Sequence, residues 1–263
     1  MFRTIKNLIG MPVEAIDGAC GKCCDLLFDD RNFAIRYIVV DVGGFFSRDE
    51  VLVSPLSFKN PDLGKHDVSM GVALTKEQIE SSPPLAEHEP VSLEYEHALA
   101  KHYGHPPYWV GPDLWGMTPY PMAITPPPSE QQPAELSAEL EQIRKHHLRS
   151  ANKVMGYQVK ALNGDVGTVA DCVVETKPWQ IRYFVVDTGK WLPGRKVLLS
   201  PSWEQFIRWE DKSVSYDLTR DRIENSPKFD PHTLVNVDYD GVLHDYYGVP
   251  LRGKQFEPVV ATK

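Results

Sequence analysis

The fold class predicted by the sequence is mainly β, with two small barrels in tandem, a few short helices and a proline-rich connection. Three observations predict it. A long segment of the first half recurs in the second. Each copy carries turn signals every 8–12 residues between runs rich in β-branched and aromatic side chains. The two copies are separated by a stretch of very different composition.

The repeat is read by setting GMPVEAIDGACGKCCDLLFDDRNFAIRYIVVDVG (10–43) over GYQVKALNGDVGTVADCVVETKPWQIRYFVVDTG (156–189) at a constant offset of 146. Between residues 10 and 55, 17 of 46 positions are identical, too many for chance similarity of two β segments. After a two-residue length difference, LTKEQIESSP (74–83) lies over LTRDRIENSP (218–227), and Tyr103-Gly104 over Tyr247-Gly248. A period this long implies duplicated domains rather than a solenoid. The expected organisation is a first barrel domain over 1–105, a connection over 106–150, and a second barrel domain with a C-terminal tail over 151–263.

Within each copy, Asp17-Gly18 or Asn163-Gly164 signals a hairpin. A strand follows, then a turn near 29–32 or 175–178. Next comes Ile-Arg-Tyr-x-Val-Val-Asp-x-Gly, a strand by composition. Val-Leu-x-Ser-Pro is the strand after it, closed by a proline that cannot donate to a ladder. A strand at 70–74 or 214–218 then runs into a short helix. Thr75 with Gln78 forms a capping box, Thr219 caps the twin helix, and Ser-Pro ends both.

From 106 to 133 the chain contains nine prolines and reads as extended. Its Tyr108, Trp109, Trp115 and Tyr120 are unusual for a free linker, so part of it should pack on a domain, leaving PPPSEQQP loose. Residues 134–150 follow as an amphipathic helix, with Leu136, Leu140, Ile143 and Leu148 at near-helical spacing.

Composition bounds the function. The chain is 42% hydrophobic and 24% charged, ordinary for a soluble globular protein, and its net charge of −8 argues against a broad phosphate-binding face, so direct nucleic-acid binding is not expected. Four cysteines are too few for a secreted disulfide framework. The N-terminus lacks the features of a signal peptide, the longest apolar runs are strand-sized, and the expected location is cytoplasmic with no transmembrane segment.

These motifs, in order and twice, resemble the PRC-barrel family, which includes the cytoplasmic domain of the photosynthetic reaction-centre H subunit and the C-terminal domain of a ribosome maturation factor. The helix motif and terminal Tyr-Gly look most like the H-subunit branch. The resemblance covers most of the chain outside 106–150. It implies a non-enzymatic barrel serving as a protein-interaction or assembly module, with a protein partner or self-association, no catalytic residues and no cofactor. The H subunit's N-terminal membrane helix has no counterpart before Gly10, which argues against a reaction-centre role.

Cys20-Gly-Lys-Cys23 with Cys24 could be a thiol-redox or metal site, and a thiol or metal protein is one alternative function. However, Cys20, Cys23 and Cys24 align with Val166, Val169 and Ala170, and Cys172 aligns with Leu26, so each thiol occupies a slot that its twin fills with a hydrophobe. Asp29-Asp30 and Asp238/Asp240 read as solvated turn acids. Arg36/Arg182 and Asp41/Asp187 lie five apart on one strand and should point to opposite faces. The arginine should pack along the barrel exterior, and the aspartate should hold turn amides. An alternative makes Arg36, Arg182, Tyr103, Trp109 and Tyr247 a partner surface. A ribosome-associated role, by analogy with the maturation factor, is the remaining alternative.

Overall fold

The computed structural model describes residues 1–43, 49–64, 66–83, 85, 91–122, 148–189, 194–203, 205–230 and 237–248. The first half runs β1 (Phe2–Thr4), α1 (Ile5–Leu8), β2 (Pro12–Ala15), β3 (Gly18–Asp29), β4 (Ile35–Asp41), β5 (Glu50–Val53), β6 (Met70–Gly71), α2 (Lys76–Glu80) and α3 (Leu93–Tyr103). The second runs β7 (Leu148–Ser150), α4 (Ala151–Val154), β8 (Gln158–Ala161), β9 (Gly164–Glu175), β10 (Gln180–Asp187), β11 (Lys196–Leu199), β12 (Gln205–Arg208), β13 (Ser213–Tyr216), α5 (Arg220–Glu224) and α6 (Val237–Tyr247).

The molecule is mainly β, with two sheets and short helices. One sheet has the path β5-β4-β3-β2-β6 and the other β11-β10-β9-β8-β13-β12. The β2–β6 and β8–β13 pairs are parallel, and the other pairs along both paths are antiparallel. Among the described residues no strand pair closes either sheet into a barrel.

Local chemistry accounts for the elements. The hairpin loops are the two residues Ile16–Asp17 and Leu162–Asn163, and the following glycines adopt φ +128 and +140. That geometry suits a residue without Cβ. Asp17 Oδ1 accepts from the Lys76 amide (2.9 Å), and Asn163 Oδ1 accepts from Arg220 (2.7 Å). Each hairpin tip therefore fixes the start of the short helix. Thr75 and Gln78 form both halves of the capping box, and Thr219 caps α5. Gly21 and Gly167 are required for another reason. A Cβ there would lie 2.3 Å from the Asp41 carbonyl oxygen and 2.0 Å from that of Asp187, inside any tolerable contact. The repeated Asp/Asn-Gly-x-x-Gly thus encodes one turn and one close strand approach.

The halves exchange strands. β1 pairs with β9 of the other half (Phe2↔Glu175, Arg3↔Val174, Thr4↔Val173), and β7 pairs with β3 (Leu148↔Asp29, Arg149↔Phe28, Ser150↔Leu27). At the offset of 146 these are the same contact made twice. Leu148–Ser150 is therefore a strand rather than the end of a helix, because the edge of β3 supplies ladder partners that a helix would forgo. The rest of the expected helix, 134–147, lies outside the described residues, as does PPPSEQQP.

Other contacts between the halves are also made twice. The Ile35 amide donates to the Trp179 carbonyl (2.7 Å), and Ile181 donates to Phe33 (2.9 Å). Phe33 and Trp179 sit at φ +60 and +52, a conformation costly for an aromatic residue and here held by the reciprocal bonds. Buried hydrophobes from both halves form one continuous cluster that includes Ile5, Phe28, Trp179 and Phe184.

Cutting the chain with a site-specific protease at a sequence inserted near residue 130 should leave the halves together, co-eluting with uncut protein in size-exclusion chromatography. Separation into half-sized species under native conditions would show that strand exchange does not hold them.

Candidate functional site

The β3–β4 ladder and its twin β9–β10 break at the same two places. Leu27 pairs with Tyr37 and Phe28 with Ile35, so Arg36 is the extra residue of a bulge; Val173↔Tyr183 and Val174↔Ile181 leave Arg182 in the same position. A bulge re-aims the residue it inserts. Arg36 is turned into the protein and is only 2% exposed, contrary to the exterior position that strand alternation predicts. Cys24 is the extra residue of the second bulge, between Cys23↔Val40 and Asp25↔Val39.

The proline-rich residues 106–122 cover Arg36 as a strap. The guanidinium carbon lies 3.9 Å from the Tyr108 ring centroid and 5.0 Å from that of Trp115, a cation–π contact with each of two rings set edge to face. Arg36 Nη1 donates to the Leu114 carbonyl (2.6 Å), and Nη2 stands 3.6 Å from Asp29 Oδ2. Asp29 is held more closely by Arg31, whose Nε and Nη2 each donate at 3.0 Å. Burial would raise the Asp29 pKa, but the Arg31 hydrogen bonds and the charge of Arg36 outweigh it and hold the carboxyl below its ordinary value.

Beneath the strap, Glu96 on α3 is buried. Its Oε2 accepts from Tyr108 (2.6 Å) and from Tyr37 of β4 (3.2 Å). Burial raises its pKa to about 7, with the two phenols and Arg36 opposing. The second half carries a reduced version. Tyr183, the twin of Tyr37, donates to Asp240 on α6, the twin of Glu96 at offset 144. Arg182 Nε stands 3.5 Å from Glu175, the twin of Asp29.

The copies differ at one telling position. Gln180 in β10 uses its carboxamide twice, accepting from Arg182 Nη1 (3.3 Å) and donating to the Asn32 carbonyl (2.6 Å). Its twin is Ala34, which can do neither. There the strap supplies both groups: the Leu114 carbonyl accepts from Arg36, and the Trp115 indole donates to the Pro178 carbonyl (2.7 Å). Main chain and indole replace an absent side chain.

The residues expected to form a partner surface are mostly internal. Tyr103, Trp109 and Tyr247 are buried, and Arg182 is 17% exposed. Ser82 stands beside the Tyr103 phenol and Ser226 beside that of Tyr247, so the Ser-Pro motif lies next to Tyr-Gly in each copy. Asp41 and Asp187 accept from the Gly43 and Gly189 amides, as the sequence leads one to expect. Cys20, Cys23 and Cys172 are buried in the hydrophobic cluster, and burial pushes all three thiol pKa values up, away from reactive thiolate. The Cys24 thiol lies 3.4 Å from the Val39 carbonyl oxygen. The described residues contain no disulfide and no cluster of three or more His, Cys, Asp or Glu that could hold a metal. Sequence reasoning missed Glu96, and it read Asp29 and Asp240 as solvated turn acids, whereas Asp29 is buried against Arg31 and Arg36 and Asp240 lies on α6 accepting from Tyr183; an acid recurs at the positions of Glu96 and Asp29 in the second copy.

Two expectations follow. Gly21→Ala or Gly167→Ala should destabilise the fold by several kcal/mol, whereas Cys20→Val and Cys23→Val, each copying its twin, should cost less than about 1.5 kcal/mol; denaturant melts measure both. Glu96→Gln keeps an acceptor for both phenols but cannot ionise. Because the folded pKa of Glu96 lies above the ordinary 4.5, wild type should lose stability relative to this variant as pH rises from about 4.5 through 7, by a few kcal/mol in total, and the difference should level off above that window. A flat difference between the two proteins across that range would exclude a buried, titrating Glu96.

Comparison with known proteins agrees with part of this picture. Residues 1–69, which span β1 to β5 and stop just before β6, match the PRC-barrel domain family. A stretch of 103 residues, 38% of this chain, is 35% identical to an uncharacterized protein of Deinococcus radiodurans and covers 35% of that protein's length. Among the described residues no helix is long and apolar enough to cross a membrane. The first 69 residues therefore carry a PRC-barrel domain.

Proposed function

We propose that the chain is a tandem PRC-barrel protein in which the second half is a further copy of the domain. In this reading it acts as a non-enzymatic interaction or assembly module in the cytoplasm, similar in kind to the cytoplasmic domain of the reaction-centre H subunit. The observation that carries the reading is the strap. Its inner side is locked onto Arg36 and Glu96, while its outer side presents Val110, Met117, Tyr120 and Met122, with Met117 70% exposed. Methionine and aromatic side chains on a rigidly seated segment are the chemistry of adaptable protein contacts. The polar groups beneath it are engaged with one another and position the strap.

Crosslinking mass spectrometry on tagged full-length protein in lysate tests this. Wild type should give reproducible crosslinks, to a partner or to a second copy, that a Met117→Ser/Met122→Ser variant of equal thermal stability loses. Equal recovery by both proteins would remove the strap from the interaction. Substrate turnover abolished by a point mutation that leaves the fold intact would overturn the non-enzymatic assignment.

A further inference from the structure

The chain's six methionines fall into two groups. Met11 and Met70 are buried in the hydrophobic cluster, and Met155 is partly buried against it. Met117 and Met122 stand out from the strap, 70% and 54% exposed, with the exposed Tyr120 between them. Met1, at the start of β1, is also exposed. The strap holds its two thioethers outward. Between Val110 and Thr118 it folds tightly, the Asp113 amide donating to the Gly116 carbonyl and the Trp115 amide to that of Thr118 (2.9 Å each). A Cβ on Gly111 would stand 2.4 Å from the Gly116 carbonyl oxygen and 2.9 Å from the Met117 sulfur, so this glycine permits both the fold and the seat of the side chain. Trp115 fills the inner side, only 3% exposed, with its indole bonded to Pro178. The outer end is pinned where Lys177 Nζ lies 4.5 Å from the Tyr120 ring centroid.

We infer that Met117 and Met122 form a reversible oxidation site that sets the polarity of the strap's outer surface. The modification stands by itself; its effect on binding rests on the interaction reading above. The oxidant is a peroxide, with hydrogen peroxide the simplest. A sulfur lone pair attacks one peroxide oxygen, the S–O bond forms as the O–O bond breaks, and the other oxygen leaves as water after proton transfer. The sulfur is oxidised by two electrons and the peroxide is reduced. The resulting sulfoxide is polar, and methionine sulfoxide reductases return it to the thioether. Two sulfoxides would turn a surface made by Val110, Met117, Tyr120 and Met122 from apolar to polar while leaving the core untouched. The thiols of Cys20, Cys23 and Cys172 are withdrawn from competition by burial.

Graded hydrogen peroxide on full-length protein, followed by peptide mass mapping, tests the site. Met117 and Met122 should be oxidised well before Met11, Met70 and Met155, with thermal stability unchanged at that dose. Protein oxidised to that point should give roughly tenfold fewer strap crosslinks, the order expected for burying a polar group without a partner, and should recover them after reductase treatment. Met117→Leu/Met122→Leu keeps the apolar surface but forms no sulfoxide, so its crosslinks should survive peroxide. Simultaneous oxidation of the buried methionines, or crosslinks that persist after the strap is oxidised, would overturn the proposal. So would equal loss in the leucine variant, which would place the effect at another residue such as Cys24. Absence of crosslinks from unoxidised protein would instead remove the interaction reading, and the order of oxidation then decides the site.

Discussion

Asp25 and Asp171 each reach across the boundary between the halves and hold the first turn of the other half's lead-in helix. Asp25 Oδ1 accepts from the Asn152 amide (3.1 Å) and Oδ2 from the Ser150 hydroxyl; Asp171 Oδ1 accepts from the Lys6 amide (3.3 Å), with Thr4 placed like Ser150. Hydrogen bonds to a charged group contribute about 1.5–3 kcal/mol each, and their partners here would otherwise be unsatisfied amides at a helix start. Burial raises both carboxyl pKa values despite these bonds, which shows how far each aspartate is withdrawn from water to make the clamp. Everything built on the junction depends on this contact. It seats α1 and α4, sets β1 and β7 in register, and brings Phe33 and Trp179 to the junction where their carbonyls cross-bond.

The clamp in turn depends on a bulge. Cys24 is the residue that β3 inserts opposite β4, and Asp25 follows it directly; Ala170 and Asp171 repeat the arrangement. Without the extra residue Asp25 would fall on the face now occupied by its neighbour, since a one-residue shift in a strand exchanges its faces. Asn152 adds a bond from its side chain to the Cys24 carbonyl (2.9 Å), so the bulge itself is tied to the other half. The stretch that looks like a redox motif is therefore a joint. Its glycine permits close strand approach, its inserted cysteine turns the chain, and its aspartate captures the partner helix.

Much of the fold was legible because the repeat compares two solutions to one problem. The cysteines could be read as slot fillers from Val166 and Val169, and the caps at Thr75 and Thr219 follow from local chemistry alone. Arg36 was misread because strand alternation assumes an unbroken ladder, and no local signal in Ile-Arg-Tyr announces a bulge. The register that creates it is set across the sheet by Leu27 and Phe28. Glu96 escaped for a related reason: an acid among the polar residues of YEHALAKHYG looks solvated, and its carboxyl is enclosed by Tyr108 of the strap and Tyr37 of β4, contacts that no local pattern announces. The residues at 148–150 were assigned to a helix because Leu148 completes a periodic pattern, while a three-residue strand has no period to show and exists only through its partner.

The difference between the copies shows how a duplicated fold acquires an asymmetric feature. The arginine, the tyrosine and the two acids persist in both halves in kind, so the buried network belongs to the shared architecture. Gln180 of the second half closes that network with its own carboxamide, accepting from Arg182 and donating to Asn32 of the first half. With Ala34 in the first, the same acceptor and donor come from Leu114 and Trp115 of the connecting strap, which spans from the Arg36 site to the Pro178 carbonyl of the other half. A substitution that removes one carboxamide thus couples the connection to both halves at once.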